Sequence, residues 1–217
     1  MAAKRAVVFD LDGTLLDSLP DLAGALNRSL ARYSLPPLSQ EKVRPMVGDG
    51  SRKLLERGYA AYGRQPSEED FAIYMEDYEA HAADLTTLFD GIPEAVAALE
   101  KAGYGLGVCS NKPHEAAERV LKSLGIAHYF STMIGGDQTE HRKPDPRHLG
   151  AVLKAMGVRP EDGVMVGDHR NDIATAQGLG APSIFAAWGY GEADAPIVAQ
   201  RPAELPKLVE RIFARGA

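Results

Sequence analysis

The sequence contains a single cysteine and no apolar stretch long enough to cross a membrane. Because Cys109 has no second cysteine to pair with, an intramolecular disulfide is excluded. Its position in an apolar run indicates a small buried side chain, which fits a reducing compartment. A signal peptide is not expected either, since Asp10 and Asp12 interrupt the first apolar run. These features predict a cytoplasmic protein that has no membrane partner.

The sequence also lacks an excess of basic residues, since 24 Lys and Arg stand against 30 Asp and Glu, for a formal net charge of -6. This balance argues against nucleic acid or an anionic membrane surface as the main partner. The hydrophobic fraction of 45% is that of a globular chain with one sizeable core. A small anionic partner would therefore need positive charge that is supplied locally.

The first apolar run, residues 6–9, predicts a short strand that is buried on both faces. The strand ends at Asp10, and Asp12 and Gly13 follow at once. Ligands of open parallel sheets bind at the carboxyl ends of the strands, so both carboxylates are candidate site residues. Taken alone, this stretch fits a simple turn equally well.

The rest of the chain divides into a helical block and an alternating region. Between residues 17 and 87, apolar residues recur every three or four positions and no strand-like run occurs. Helices are expected there near residues 19–33, 51–62 and 67–85. Later strands are expected at residues 105–109, 132–135, 164–166 and 183–186, and later helices at 92–102, 114–124, 147–156 and 203–215. This alternation predicts an α/β fold with a doubly wound, Rossmann-like parallel sheet.

Four polar groups lie where strands or loops end in this scheme. They are Asp10 with Asp12, Ser110 with Asn111, Lys143 with Pro144, and Asp168 with Asp172. Each group alone has a structural explanation, as a turn, a solvated lysine or a helix N-cap. At one edge of one sheet, however, they supply every group that phosphoryl transfer to a carboxylate requires. We therefore interpret them as a single catalytic site.

A carboxylate attacks phosphorus only when the negative charge around it is neutralised. Mg2+ does this, and it prefers the hard oxygen ligands that aspartates supply. Asp10, Asp168 and a backbone carbonyl near Asp12 would form a partial cage. Asp172 would orient the ion from farther away. The sequence therefore predicts a Mg2+ site.

The remaining polar groups have distinct tasks in the same reaction. The Ser110 hydroxyl, the Asn111 amide and the Lys143 ammonium would bind phosphate oxygens. Asp12 is left as the acid that protonates the leaving oxygen and as the base that activates water. Because metal and lysine are expected beside Asp10 alone, Asp10 would be ionised while Asp12 starts protonated.

These motifs resemble those of the haloacid dehalogenase-like hydrolases, and specifically of their phosphatases. They comprise residues 10–18, Ser110-Asn111, Lys143-Pro-Asp-Pro146 and residues 167–172. The resemblance implies Asp10 as nucleophile, Asp12 as acid and base, and Mg2+ as cofactor. It also implies that residues 17–87 form a mobile helical cap domain, inserted into a core domain of residues 1–16 and 88–217. The acid at Asp12 disfavours the dehalogenase and phosphonatase branches, which lack it.

Within that family the chain looks most like the phosphoglycolate phosphatases, because of residues 47–50 before a helix and residues 188–190 after the last strand. The candidate specificity residues are Gly48, Asp49, Gly50 and Arg52. The exposed amides of a helix start suit a small carboxylate, and Arg52 would add charge. A purely structural helix start with a solvated Arg52 is equally consistent. Asp49 departs from the neutral residue frequent in the family, and it would repel an anionic substrate.

The expected partner is a small phosphorylated metabolite. Sugar-phosphate phosphatases, pyrophosphatases and beta-phosphoglucomutases share the same catalytic residues and stay open as alternatives. A phospho-accepting receiver module is an alternative of another class, since it also places an Asp, a Ser or Thr and a Lys on a doubly wound sheet. The helical insertion and the acid at Asp12 favour the enzyme.

Overall fold

A six-stranded parallel sheet lies at the centre of the computed structural model, which describes residues 5–215. Residues 1–4 and 216–217, at the ends of the predicted core domain, lie outside the described residues. The strands are β1 (Ala6–Phe9), β2 (Leu16–Asp17), β3 (Thr87–Leu88), β4 (Gly105–Cys109), β5 (Phe130–Ile134), β6 (Gly163–Gly167), β7 (Ser183–Ala186) and β8 (Val198–Ala199). The helices are α1 (Leu19–Ala31), α2 (Gln40–Val43), α3 (Ser51–Ala60), α4 (Glu68–His81), α5 (Ile92–Lys101), α6 (His114–Ser123), α7 (Pro146–Met156), α8 (Arg170–Leu179) and α9 (Leu205–Arg215).

Strand β1 occupies the middle of the sheet, whose strand order is β5-β4-β1-β6-β7-β8. It pairs in parallel with β4 on one side and with β6 on the other. The chain moves outward from β1 through β4 to β5, and then crosses to the other side of β1 to form β6. This arrangement confirms the predicted doubly wound sheet, and it places the switch in strand order at the carboxyl end of β1.

The sheet is covered on both faces because alternate strand residues enter two separate apolar clusters. Val7 and Phe9 of β1 enter the larger cluster, which α5, α6 and α9 complete. Ala6 and Val8 enter the smaller cluster, which residues of α7 and α8 complete. Burial on both faces explains why the strands read as continuous apolar runs without alternation.

Two short strands at the borders of the helical block differ from the sequence prediction. Strands β2 and β3 pair as an antiparallel ladder of two residues each, where the sequence predicted no strand between residues 17 and 87. Two residues are too few to show a period of any kind, so pattern analysis misses such strands. Strands β4 and β7 agree residue for residue with the predicted ranges, and β5 begins two residues earlier than predicted.

Helices α1 to α4 lie between β2 and β3 and pack together through apolar residues such as Leu26, Leu55 and Tyr59. Helix α4 begins at a capping box, in which the side chains of Ser67 and Asp70 each accept a hydrogen bond from the other residue's backbone amide. Helices α1, α3 and α4 correspond to the three helices that the apolar spacing predicted, whereas the four-residue helix α2 was not predicted.

Asp21 ties the start of this block to its return. The buried carboxylate lies in the first turn of α1 and accepts hydrogen bonds from the Leu85 amide at 3.0 Å and from the Thr86 amide at 2.8 Å. The Thr86 hydroxyl donates to the same carboxylate at 2.7 Å. The chain segments that enter and leave the helical block are therefore joined through one side chain.

Cys109 is fully buried at the end of β4, which confirms the prediction of a small core residue. Burial raises the pKa of its thiol well above the ordinary value, so the reactive thiolate is disfavoured. Within residues 5–215, no helix combines the length and the apolar composition that a membrane span requires.

The hydroxyl of Tyr74 on α4 is buried and has no hydrogen-bond partner among the described residues. A buried hydroxyl without a partner costs about 1–3 kcal/mol, so Tyr74→Phe should raise the free energy of unfolding by about 1 kcal/mol. Urea denaturation followed by circular dichroism measures this change. Tyr78→Phe, which removes a bonded hydroxyl from the same helix, should lower the stability. A clear loss of stability in Tyr74→Phe would contradict the assignment.

Candidate active site

Asp10 lies directly after β1, at the switch point of the sheet. Its backbone amide donates to the Val166 carbonyl of β6 at 2.9 Å, which extends the strand pairing by one residue. The Leu11 amide donates to Asp10 Oδ1 at 2.7 Å. Because Asp10 is buried, these bonds rather than solvent fix the direction of its carboxylate.

Asp10, Asp168 and Asp172 form a buried carboxylate cluster, in which one oxygen of each residue lies within 4.8 Å of the others. Thr14 Oγ1 donates to Asp168 Oδ1 at 2.9 Å, and the Tyr190 amide donates to Asp168 Oδ2 at 2.8 Å. Asp172 comes from the first turn of α8. A set of carboxylate oxygens at this spacing suits a hard cation such as Mg2+.

Two glycines allow the backbone to close around Asp168. Gly13 has a φ of 88°, and a Cβ atom there would overlap the Asp168 carboxylate. A Cβ atom at Gly189 would overlap Asp168 as well. Glycine is therefore required on both sides of this carboxylate by the space available, and at Gly13 also by the backbone angle.

Lys143 lies between two carboxylates of the cluster. Its Nζ is 2.9 Å from Asp10 Oδ1 and 2.6 Å from Asp172 Oδ1. Burial favours the neutral amine, but the charges of Asp10 and Asp172 outweigh burial and raise the pKa of Lys143. The side chain therefore remains an ammonium, as predicted from the sequence.

The carboxylate cluster carries more negative charge than Lys143 neutralises. Burial raises the pKa of Asp168 to about 6, and the charge of Asp10 adds to that rise. Burial also raises the pKa of Asp172, which Lys143 opposes. Three carboxylates face one ammonium, so two negative charges remain without a side-chain partner in the cluster. The residues present therefore fit a divalent cation.

Asp12 points into a different set of contacts. Ser18 Oγ donates to Asp12 Oδ1 at 2.7 Å, and Lys112 Nζ donates to the same oxygen at 2.9 Å. The prediction that a lysine neighbours Asp10 alone is wrong, because Lys112 reaches back across the loop edge to Asp12. The side chain of Asp12 lies outside the carboxylate cluster that the described residues form.

Asn111 joins two loops of the site. Its Nδ2 donates to the Lys143 carbonyl at 2.9 Å and to the Gly48 carbonyl at 3.0 Å, while its Oδ1 accepts from the Lys143 amide at 3.0 Å. The neighbouring Ser110 is buried, and its side chain lines a cavity next to Asp10. The predicted phosphate-binding residues therefore lie together at the same sheet edge.

The candidate specificity residues are separated by the structure. Gly48 and Gly50 line the cavity next to Asp10. Asp49 forms an ion pair with Arg57 and accepts from Asn171 Nδ2 at 2.7 Å, so its charge is compensated. Although burial alone would raise the pKa of Asp49, the bonds from Asn171 and Arg57 lower it. The expected repulsion of an anionic substrate therefore loses its basis.

Arg52 does not reach this cavity. Its guanidinium donates to both carboxylate oxygens of Glu68, at 2.8 and 2.9 Å, and lies 4.0 Å from the ring centre of Phe71. These partners lie on α4 and its first turn, and the pair is exposed to solvent. Arg52 therefore lies on a solvent-exposed helix face, which is the structural alternative given in the sequence analysis section.

The cavity next to Asp10 is narrow, at about 30 Å3. Asp12, Ser110 and Lys112 form its wall on the sheet side, and residues of α1, α3 and α4 close it from above, among them Leu54 and Tyr78. A second cavity of about 490 Å3 adjoins it on the Asp168 side.

Sequence reasoning did not single out Lys112, Tyr78 or Thr14 as site residues. Lys112 directly follows Ser110 and Asn111. As a third polar residue after a buried strand, it could have been recognised from the sequence as a candidate site residue. Tyr78 lies in the last turn of α4, and no local pattern distinguishes it from a core tyrosine. Its part in the site depends on how the helical block is placed over the sheet.

Tyr190 connects the carboxylate cluster to the start of the helical block. Its amide donates to Asp168, and its phenolic oxygen accepts from the amides of Ser18 and Leu19 at 2.7 and 3.0 Å. The phenol in turn donates to Asp17 Oδ1 at 2.8 Å. Tyr190, in the loop after β7, therefore contacts both the carboxylate cluster and the N-terminus of α1.

Comparison with known proteins agrees with this geometry. A family model described as haloacid dehalogenase-like hydrolase matches residues 7–186. The chain is 40% identical over 194 residues to the phosphoglycolate phosphatase of Rhodospirillum rubrum, with 86% of this chain and 80% of the relative covered. It is 41% identical over 190 residues to that of Caulobacter vibrioides, with the same shares covered.

A solved structure has the same fold over almost the whole chain. The crystal structure described as a predicted phosphoglycolate phosphatase from Haemophilus somnus superposes with a TM-score of 0.86 at 28% identity. The superposition covers 96% of this chain and 99% of that protein. The inserted helices and the sheet are therefore shared features.

The carboxylate cluster predicts a pH-dependent response to Mg2+. The pKa of Asp168 rises from an ordinary value of 3.8 to about 6, so the metal-free protein loses stability as the pH increases through that window. Above the window the cluster is ionised and Mg2+ offsets its repulsion, whereas below it protons compete with the metal.

We therefore expect Mg2+ to raise the melting temperature by several degrees more at about pH 7.5 than at about pH 5. Differential scanning fluorimetry with and without Mg2+ measures the effect. In Asp168→Asn, the gain from Mg2+ should be small at both pH values. An equal gain at both pH values in the unchanged protein would refute the role of Asp168.

Proposed function

The chain belongs to the haloacid dehalogenase-like hydrolase family, and on this premise we propose that it is a Mg2+-dependent phosphatase that hydrolyses 2-phosphoglycolate to glycolate and phosphate. The observation that carries the proposal is the buried Asp10 carboxylate, beside Lys143 and inside a cluster whose surplus negative charge matches a divalent cation. Relatives of 40% and 41% identity that are named phosphoglycolate phosphatase support the substrate. The family membership rules out the receiver module.

Asp10 is the proposed nucleophile. Its carboxylate attacks phosphorus, the bond from phosphorus to the leaving oxygen breaks, and an aspartyl-phosphate forms. Water then attacks the same phosphorus, which releases phosphate and restores Asp10. Lys143, at 2.9 Å from Asp10, offsets the negative charge that the phosphate brings to the site.

The other residues of the sheet edge bind the phosphate and the metal. Ser110 Oγ, the Asn111 amide and Lys143 would contact phosphate oxygens. Asp10, Asp168 and Asp172, with a backbone carbonyl near Asp12, would hold Mg2+. When bound, the ion supplies positive charge against the phosphate oxygens.

Asp12 is the proposed acid and base. In the described part of the chain, Ser18 and Lys112 both donate to Oδ1 of Asp12, which leaves Oδ2 to carry the transferable proton. Asp12 gives this proton to the leaving oxygen in the first step. It takes a proton from the attacking water in the second.

We assign residues 17–87 to a mobile cap domain and residues 1–16 and 88–217 to the core domain. Hydrogen bonds connect the two proposed domains. Asp49, in the loop before α3, accepts from Asn171 of the core, and the Glu79 carbonyl of α4 accepts from Arg119 Nη1 at 2.6 Å. Such bonds exchange with water at a net cost of about 1 kcal/mol each. Opening would admit substrate, and closure would exclude water from the phosphorylated enzyme.

The narrow cavity favours a small leaving group. At about 30 Å3, the space beside Asp10 suits a two-carbon acid better than a hexose, which argues against sugar phosphates and beta-phosphoglucomutase chemistry. Apolar Leu54 and Val47 in its wall disfavour pyrophosphate, whose leaving group is phosphate itself.

The site of action proposed for this enzyme is the cytoplasm.

Asp10→Asn should lower kcat on 2-phosphoglycolate by about three orders of magnitude or more, because the amide keeps the shape but has no attacking charge. Steady-state phosphate release measures it. Asp194→Asn, which makes the same chemical change at an exposed position, should leave the rate unchanged. Turnover of Asp10→Asn close to that of the parent would exclude the covalent mechanism.

The substrate assignment is tested by comparing kcat/KM for 2-phosphoglycolate, glucose 6-phosphate, pyrophosphate and beta-glucose 1-phosphate. We expect 2-phosphoglycolate to lead by about tenfold or more, since a larger leaving group does not fit the closed cavity. A lead by any other compound would replace the proposed substrate while leaving the phosphatase mechanism in place.

A further inference from the structure

Among the described residues that line the cavity next to Asp10, Lys112 is the only positively charged one. Its side chain is 1% exposed, and its ammonium carries three donors. Within residues 5–215, its side-chain partners are Asp12 Oδ1 at 2.9 Å and the Tyr78 hydroxyl. One donor therefore remains for a ligand in the cavity.

Among the described residues, the other cations near the site lie outside the lining of this cavity, and Arg44 and Arg170 line the second cavity. Lys143 lies between Asp10 and Asp172 and does not line this cavity. Arg57 pairs with Asp49 on the side of the second cavity. Arg52 pairs with Glu68 at the surface, as described above. Among the described residues, an anionic group placed in the cavity next to Asp10 therefore has Lys112 as its counterion from the lining.

Tyr78 adds a second donor at the same place. Its hydroxyl accepts from Lys112, which leaves its own proton free, and its ring lines the cavity. Burial raises the pKa of Tyr78 well above its ordinary value, so the hydroxyl stays protonated. An ammonium and a hydroxyl therefore point to one side of a narrow space whose remaining wall is largely apolar.

The charge of a ligand determines whether it binds favourably beside Lys112 and Tyr78. A carboxylate placed beside Asp10 and Asp12 without a cation would be a buried unpaired charge, which is strongly unfavourable. Beside Lys112 it is paired and hydrogen-bonded. A neutral leaving group gains nothing from the ammonium.

Resting on the proposed phosphatase function, we propose that Lys112, together with the Tyr78 hydroxyl, binds the anionic group of the leaving alcohol. The substrate class is thereby small phosphomonoesters whose leaving group bears a carboxylate. Specificity is then read by the loop that follows β4 and by α4, and not by Arg52 at the start of α3.

The test uses pairs of substrates that differ in the carboxylate: 2-phosphoglycolate with ethyl phosphate, and 3-phosphoglycerate with glycerol 3-phosphate. We expect Lys112→Met to lower the kcat/KM ratio of the anionic to the neutral member by about 10- to 100-fold, the range of a charged hydrogen bond. Tyr78→Phe should lower the ratio by about 3- to 10-fold. Lys112→Arg, which keeps the charge, should restore part of it.

Two matched controls accompany these variants. Lys53→Met removes an exposed lysine of α3 that pairs with Glu56. Tyr74→Phe keeps the ring that stacks on Tyr78 and removes its hydroxyl, which has no partner among the described residues. Both should leave the ratio unchanged. Calorimetric titration of 2-phosphoglycolate and ethyl phosphate into Asp10→Asn, with and without Lys112→Met, should give the same loss in affinity ratio without turnover.

The outcomes separate this inference from the proposed function. An equal fall for both members of a pair in Lys112→Met would mean that Lys112 serves only to position Asp12, and would overturn the inference. An unchanged ratio in both Lys112→Met and Tyr78→Phe would overturn it too. If the parent prefers 3-phosphoglycerate over 2-phosphoglycolate and Lys112→Met loses that preference, the inference stands and the proposed substrate fails.

Discussion

The position of Lys143 between Asp10 and Asp172 is the interaction on which the rest of the site depends. Without this ammonium, three buried carboxylates would repel one another at a spacing of less than 5 Å. The Asn111 side chain donates to the Lys143 carbonyl and accepts from the Lys143 amide, so the loop after β4 positions the ammonium that lies beside Asp10. The Asp10 carboxylate is therefore stabilised only when three separate segments have assembled.

A second lysine repeats this arrangement one loop away. Lys112 donates to Asp12 Oδ1 at 2.9 Å, Lys143 Nζ lies 2.9 Å from Asp10 Oδ1, and both lysine side chains are 1% exposed. The two carboxylates of the first motif thus differ less in their cationic neighbours than in the rest of their surroundings. Asp10 shares its lysine with a metal-type cluster, whereas Asp12 shares its lysine with a hydroxyl of α4. This difference supports the separate tasks proposed for them.

Most of the fold and the placement of the candidate site residues follow from local sequence patterns, because buried parallel strands end abruptly in polar residues. Ranges for β4 and β7 agree in full, and Asp10, Ser110, Lys143 and Asp168 meet at one edge as predicted. Three features could not be predicted from these patterns: the β2–β3 ladder, the contact of Lys112 with Asp12 and the surface position of Arg52. Each depends on contacts between residues far apart in the chain, which neither periodicity nor motif spacing encodes.

The bonds of Asp21 to Leu85 and Thr86 have a mechanical consequence. Two chain segments, at β2 and β3, connect the helical block to the sheet. If each segment bent independently, the helices could move relative to the sheet in several directions. Here one carboxylate on α1 clamps the returning segment to the outgoing one, and the β2–β3 ladder lies directly beside the clamp. Because the two crossings are joined, the proposed cap would pivot about a single connection, and the same residues would return over Asp10 each time it closes.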